Sequence, residues 1–183
     1  MKKWLGFFGI AGVLWLVACG KDTVLPEPQN GGYLPLQVGN YWKLDGLNTR
    51  TITETKVFNN NTYFAITTSY DTMYVRKEAD KIMAYYRGKT SVLFDLGAKV
   101  NDIWMYRDYN VKLISKTDSV KLGSETVKNC YQFFFDIPAM ADEEHAIWLA
   151  PGIGFIQQAC YGECVGGKKK LTEVKLDNKV YRF

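Results

Sequence analysis

The sequence predicts an all-β protein, an antiparallel meander of about ten strands built from two similar halves and curved into a half-barrel or barrel, with a β-sandwich as the alternative. Three observations carry this expectation. Tyr131, Phe133, Phe135 and Ile137 fall on one face of a segment whose other face holds Gln132, Phe134 and Asp136, the period-two pattern of a sheet buried on one side. Turn-forming residues recur at short intervals between runs rich in threonine, valine and aromatics. Helical periodicity of comparable length occurs nowhere after residue 18, and Ala139 to Glu144 suffices for one helical turn at most.

The folded domain is expected to span residues 33–183, with a pseudo-repeat dividing it into 33–97 and 98–183. The repeat is Val38-Gly39-Asn40-Tyr41-Trp42 and, in the second half, Val100-Asn101-Asp102-Ile103-Trp104. Each copy places a turn pair before an aromatic strand start, and Trp42, Trp104 and also Trp148 are expected to anchor the structure. Thr49 to Phe58 and Thr62 to Ser69 read as strands around the turn Asn59-Asn60-Asn61. Met73 to Arg76 and Ile82 to Tyr86 read as a hairpin, followed by a strand from Ser91 to Leu96. In the second half, Val111 to Ser115 alternates imperfectly, Thr126 to Ile137 is the clearest strand, and Ala146 to Leu149 with Phe155 to Gln157 forms another hairpin. Thr172, Val174 and Leu176 repeat the alternation in the last long strand. The high aromatic content, 15%, suits a packed core and equally a concave, aromatic-lined face.

Ahead of this domain the chain has a different character. Lys2 and Lys3 give a positive start, Trp4 to Val17 is apolar or glycine, and Leu16-Val17-Ala18 sets small residues before Cys19. This is the layout of a secretory signal at residues 1–18, too short for a membrane span. A cysteine after small residues at the cut resembles the lipobox of bacterial lipoproteins. The resemblance implies acylation of Cys19, cleavage before it, and attachment to a membrane through the N-terminal lipid. An ordinary signal peptide, with Cys19 there by chance, or an uncleaved anchor is the alternative. Several acyl chains on one residue hold a protein stably where a single chain does not. Residues 19–32, with Pro26, Pro28 and Asn30-Gly31-Gly32, read as a flexible tether. Gly20-Lys21-Asp22 resembles the signal that sends lipoproteins of the Bacteroidota to the cell surface, although a solvated charge pair gives the same residues. Location is therefore expected at the outer membrane, on its periplasmic face or on the cell surface.

Composition excludes more than it assigns. The formal charge is only +4, Lys2 and Lys3 leave with the signal, and Lys168-Lys169-Lys170 beside Gly166-Gly167 reads as a solvated turn, so no nucleic-acid footprint exists. A single histidine, His145, follows Asp142-Glu143-Glu144 and reads as a surface-loop residue. No metal and no cofactor is expected. No Gly-x-Ser-x-Gly elbow is present, and Asp95, Asp102, Asp108 and Asp136 lie near strands without any two being selected as a catalytic pair. No catalytic residue is expected, and the chain is not expected to be an enzyme. Cys130 reads as a small buried residue within a strand. Cys160 and Cys164 flank a short loop and are expected to close a disulfide in an oxidising compartment, free thiols being the alternative.

The opening Leu34-Pro35-Leu36-Gln37-Val38-Gly39-Asn40-Tyr41-Trp42 and the later Ala150-Pro151-Gly152-Ile153-Gly154 resemble a class of small β-rich lipoproteins of the Bacteroidota, largely of unknown function. Cys160 and Cys164 depart from that pattern. The resemblance implies location and fold and adds no activity. In the same phylum exported proteins are glycosylated at Asp-Ser/Thr followed by an aliphatic or similar residue. Asp22-Thr23-Val24, Asp71-Thr72-Met73 and Asp118-Ser119-Val120 resemble that acceptor, and Thr23, in the tether, is the candidate. The leading expectation is a lipid-anchored envelope protein with a binding or structural role, presenting an aromatic face to a glycan, a lipid or another envelope protein. The alternatives are an envelope-polymer hydrolase and a lipid or lipoprotein acceptor. Mass spectrometry of peptides digested without reduction should recover Cys160 and Cys164 linked, and alkylation of both in unreduced protein would rule the bridge out.

Overall fold

The computed structural model describes residues 32–138, 140, 143–161 and 167–183. Its strands are β1 (Tyr41–Leu44), β2 (Arg50–Phe58), β3 (Asn61–Thr67), β4 (Thr72–Glu78), β5 (Lys81–Tyr86) and β6 (Lys89–Asp95), then β7 (Ile103–Tyr106), β8 (Tyr109–Leu122), β9 (Glu125–Asp136), β10 (His145–Ala150), β11 (Gly154–Cys160), β12 (Lys168–Leu176) and β13 (Lys179–Arg182). Thirteen strands replace the expected ten or so because tight two-residue turns make room for short pieces such as β13. Asn59-Asn60, Arg87-Gly88 and Asp177-Asn178 each hold both central residues at positive φ, which matches the twist of the strands they join.

All pairings are antiparallel and form one sheet in the order β6-β5-β4-β3-β2-β1-β12-β11-β10-β9-β8-β7, with β13 added to β12. The first half thus runs as a meander from β1 outward, the second runs from β7 inward, and β12 joins them. β6 and β7 adjoin without pairing, so the sheet is a nearly closed barrel with one seam. Register shifts in β2–β3, β5–β6, β8–β9 and β10–β11 supply the bends such curvature needs. No helix occurs among the described residues, and around the segment expected to form a helical turn Met140 N–H donates to Ile137 O, while residues 139, 141 and 142 lie outside the described set.

The interior is filled mainly by side chains that the registers aim to one side: Trp42 and Leu44, Ile52, Ile66, Val75, Ile82, Phe94, Phe133, Phe135, Phe155 and Val174. Most of the aromatics therefore make a core, and Phe94 touches the rings of Phe133, Phe135 and Phe155 at centroid distances of 4.8, 6.0 and 6.4 Å. Trp42 is wholly buried at the centre. Its Nε1–H donates to Ile153 O, its ring meets the edge of Phe155 at 5.4 Å, and a Cβ on Gly154 would stand 2.6 Å from Nε1. The opening and closing segments singled out in the sequence are thus one contact in space. Gly32 O accepts from Gly152 N–H at 2.8 Å, and Leu34 is buried beside them.

The two repeat copies form the same turn. Gly39 N–H donates to Ile52 O and Asn40 N–H to Gln37 O, while Ile52 N–H donates to Asn40 O. In the second copy Asn101 N–H donates to Leu113 O, Asp102 N–H to Lys99 O, and Leu113 N–H to Asp102 O. The side chains differ. Trp104 is half-buried and its Nε1 is buried with no partner, whereas Asn40 is fully buried and bonds Pro35 O and Asp177 N–H through its amide.

The outer end of the long β8–β9 hairpin covers part of the second half from outside. Trp148 sits opposite Gln132 and Gln157 on the outward side, donates to Asp118 Oδ2 at 2.8 Å and is roofed by Lys168 at 5.5 Å. Val120, Leu122 and Val127 are buried there as well, and Gly123 approaches the carbonyl carbon of Phe183. Lys168 to Lys170, expected in a solvated turn, instead begin β12, because pairing with Gln157, Gln158 and Ala159 extends that strand toward its N-terminus.

Trp42→Ala should destabilise the protein by about 3–5 kcal/mol, and Gly154→Ala, strained at φ +94 and colliding with Trp42, by about 2–4 kcal/mol. Trp104→Ala should cost less than Trp42→Ala. Denaturant midpoints of the three variants check this, and equal losses at Trp42 and Trp104 would contradict it.

Candidate functional site

Alternating strand directions sort the connections between two barrel ends. The turns β2–β3, β4–β5, β6–β7, β8–β9, β10–β11 and β12–β13 lie at the basal end, where Tyr33 to Asn40 leads in. The connections β1–β2, β3–β4, β5–β6, β7–β8, β9–β10 and β11–β12 surround the other end, the mouth. A cavity of about 160 Å³ opens at the mouth between the core and the β3–β4 and β7–β8 connections, which contribute Asp71 and Arg107.

Its walls are aromatic on several sides: Phe94, Phe135 and Phe155 rise from the core, and Tyr106 and Tyr109 come from the β7–β8 hairpin. Its distinctive member is Arg50. Arg50 pairs with Trp42 across β1–β2, so it shares the inward face with Trp42 and Ile52. The guanidinium lies 4.7 Å from the centre of the Phe155 ring and donates to Gln158 Oε1, another inward residue. Among the described residues no ion pair involves it. Burial lowers its pKa to about 10, the response of a cation held away from water without a compensating acid.

His145 begins β10 opposite Phe135 and Cys160, and its ring stacks on Phe135 at 4.7 Å and meets Tyr109 edge-on at 5.4 Å. It is not the surface-loop residue expected from its acidic neighbours: strand register turns it inward. Burial, reinforced by the positive charge of Arg50, lowers its pKa below the ordinary value of 6.5. Arg107 borders the cavity at the seam, its guanidinium 3.9 Å from the Tyr86 ring and 5.2 Å from that of Tyr106, with Nε buried and unpartnered. Asp71 supplies an acid at the lip, but it is exposed and its Oδ1 accepts from Thr72 N–H. Along the seam a shallower depression of about 550 Å³ continues past Tyr86, Arg87, Lys89, Arg107 and Asp108.

The expected site residues are distributed elsewhere. Cys19, Thr23 and Cys164 lie outside the described residues. Cys160 ends β11 and is disulfide-bonded. Cys130 is free and buried, with a thiol raised to about 11 by burial, an inert state. Among the other glycosylation-like tripeptides, Thr72 is half-buried at the start of β4, and Asp118 is held by Trp148 within β8. The four aspartates do not converge. Asp95 caps Gly97 and Ala98 and pairs with Lys81, Asp102 accepts from Lys99 N–H, and both sit basally, whereas Asp108 and Asp136 stand near the mouth. Among the described residues no cluster of three histidine, cysteine or acidic side chains is arranged to hold a metal.

Arg50, His145 and Gln158 were missed in the sequence. A weak signal exists: Arg50 shares parity with Ile52, and His145 with Ile147 and Leu149, so each is polar on an inward face. What is assembled is a barrel with a filled base and a small, positively charged, aromatic-walled mouth. No family model and no curated protein matches the chain. Among solved structures it is similar to a "putative lipoprotein" from Parabacteroides distasonis ATCC 8503, at 12% identity and a TM-score of 0.35, covering 79% of this chain and 98% of that one. A likeness of that degree says nothing about activity.

Because His145 binds its proton less readily when folded than when unfolded, the stability it contributes is present above pH 6.5 and is lost as pH falls below that value. Acidification from about pH 7 to pH 5 should therefore lower the melting temperature of the native protein more than that of His145→Gln. Equal or larger losses in the variant would show that the ring is not held neutral.

Proposed function

We propose that this protein is a lipid-anchored, non-enzymatic binding protein of the cell envelope that takes a small ligand at the barrel mouth. The observation that carries the reading is the polarity of the barrel. Residues 32–40 meet the base, where Gly32 bonds Gly152, and the cavity with Arg50 and His145 lies at the opposite end. A chain held by acyl groups on Cys19, and so attached through the segment that enters at the base, would direct its mouth away from the bilayer, toward solutes or partners. The signal-like residues Leu16-Val17-Ala18-Cys19 support the anchor.

The size of the cavity argues against the acceptor alternative. An extended acyl chain needs a long apolar channel, and the interior behind the mouth is filled by Trp42, Phe94, Phe133 and Phe155. The hydrolase alternative requires two carboxylates flanking one bond, and none of the four aspartates lines the mouth cavity. Outer-membrane placement is part of the proposal and rests on Gly20-Lys21-Asp22.

Expression of Cys19→Ser in a Gram-negative host tests the anchor. The native chain should partition with membranes and incorporate labelled fatty acid, and the variant should lose the label. Unchanged labelling of the variant would remove the lipid anchor from the proposal.

A further inference from the structure

Resting on the reading of the mouth as a binding site, we propose that its ligand is a compact organic anion, a carboxylate on an aromatic or similarly flat apolar body, with the carboxylate held by Arg50. A guanidinium buried against Phe155 loses hydration, and Gln158 is the one acceptor among the described residues that bonds it. The remaining N–H groups of a five-donor fork are suited to a planar, two-oxygen acceptor. A carboxylate is such an acceptor, and no protein carboxylate fills the position, since Asp71 is exposed at the lip and engaged with Thr72.

The neighbours select the same charge. Arg107 brings a second guanidinium to the cavity, and Arg87 and Lys89 line the depression leading along the seam, against Asp108 as the acid there. Within these linings Arg50, Arg107, Arg87 and Lys89 stand against Asp71 and Asp108, a positive balance that favours an anion in the cavity. His145 lines the cavity as a neutral ring stacked on Phe135, which adds a flat surface.

Size and shape set the body of the ligand. About 160 Å³ is close to the roughly 150 Å³ cavity that accommodates a benzene molecule in an engineered protein core. Phe135, Phe155, Tyr106 and Tyr109 offer ring faces and edges to a flat apolar group. A long acyl chain would meet the filled core of Trp42, Phe94 and Phe133 behind that space.

Titration of the full chain in non-ionic detergent with sodium benzoate, and with benzamide as the neutral isostere, reads the proposal by calorimetry or NMR shifts. Benzoate should bind at least about tenfold more tightly than benzamide, and its affinity should fall as salt rises. Arg50→Met should weaken benzoate by roughly 10- to 100-fold, as expected for a lost charge-assisted contact, and leave benzamide unchanged. Equal affinities for the two probes, or undiminished benzoate binding in Arg50→Met, would overturn the anion assignment while leaving the pocket a binding site. Failure of both probes to bind at about 10 mM would overturn the binding-site reading itself. If Arg50→Met does not fold, Arg50→Lys and Arg107→Met replace it: each should weaken benzoate selectively, and unchanged affinity in both would overturn the proposal.

Discussion

The contact between the Trp42 indole and the β10–β11 turn organises this barrel. Trp42 is set near the start of the first strand, and its partners Ile153, Gly154 and Phe155 stand more than a hundred residues later. The indole N–H finds an acceptor in the Ile153 carbonyl, which removes the penalty of burying a polar group at the centre. Gly154 permits the close approach for two separate reasons: its φ of +94 suits glycine, and a side chain there would overlap the ring. Because β1 pairs with both β2 and β12, fixing Trp42 also fixes the joint between the two meanders.

That arrangement explains why the two ends differ. At the base, Leu34 and Asn40 fold in with the lead-in segment, and the Asn40 amide ties Pro35 to the β12–β13 turn. Among the described residues nothing comparable plugs the mouth, where the inward position opposite Trp42 is occupied by arginine instead of an apolar residue. A hydrophobic side chain at that position would stabilise the core more simply, since burying a guanidinium with no carboxylate partner among the described residues costs free energy. Retention of a charge where packing favours an apolar group is the energetic feature on which the proposed binding site rests.

The comparison of the two halves makes a related point. Their turns before β1 and β7 share the same three backbone hydrogen bonds, yet Trp42 is sealed and Trp104 is only half-buried with an unbonded Nε1. The cause is position in the sheet. β1 lies in the middle with neighbours on both sides, whereas β7 is the edge at the seam and leaves Ile103 and Met105 exposed on its outer side. One local sequence pattern therefore gives one local backbone and two different environments.

By itself the sequence determined the properties that depend on neighbours in the chain: strand-rich character from period-two alternation, turn positions from paired asparagines and glycines, and an export-like N-terminus. It also flagged the two segments that meet at Trp42, although not that they meet. Barrel closure, the inward direction of Arg50 and His145, and the scattering of the aspartates were decided only by tertiary structure, because they follow from which strand pairs with which and in what register. A one-residue change of register reverses every side chain on a strand. The faces that form the site are therefore fixed by long-range pairing and bulges, such as those in β5–β6 and β10–β11, which no local pattern reveals.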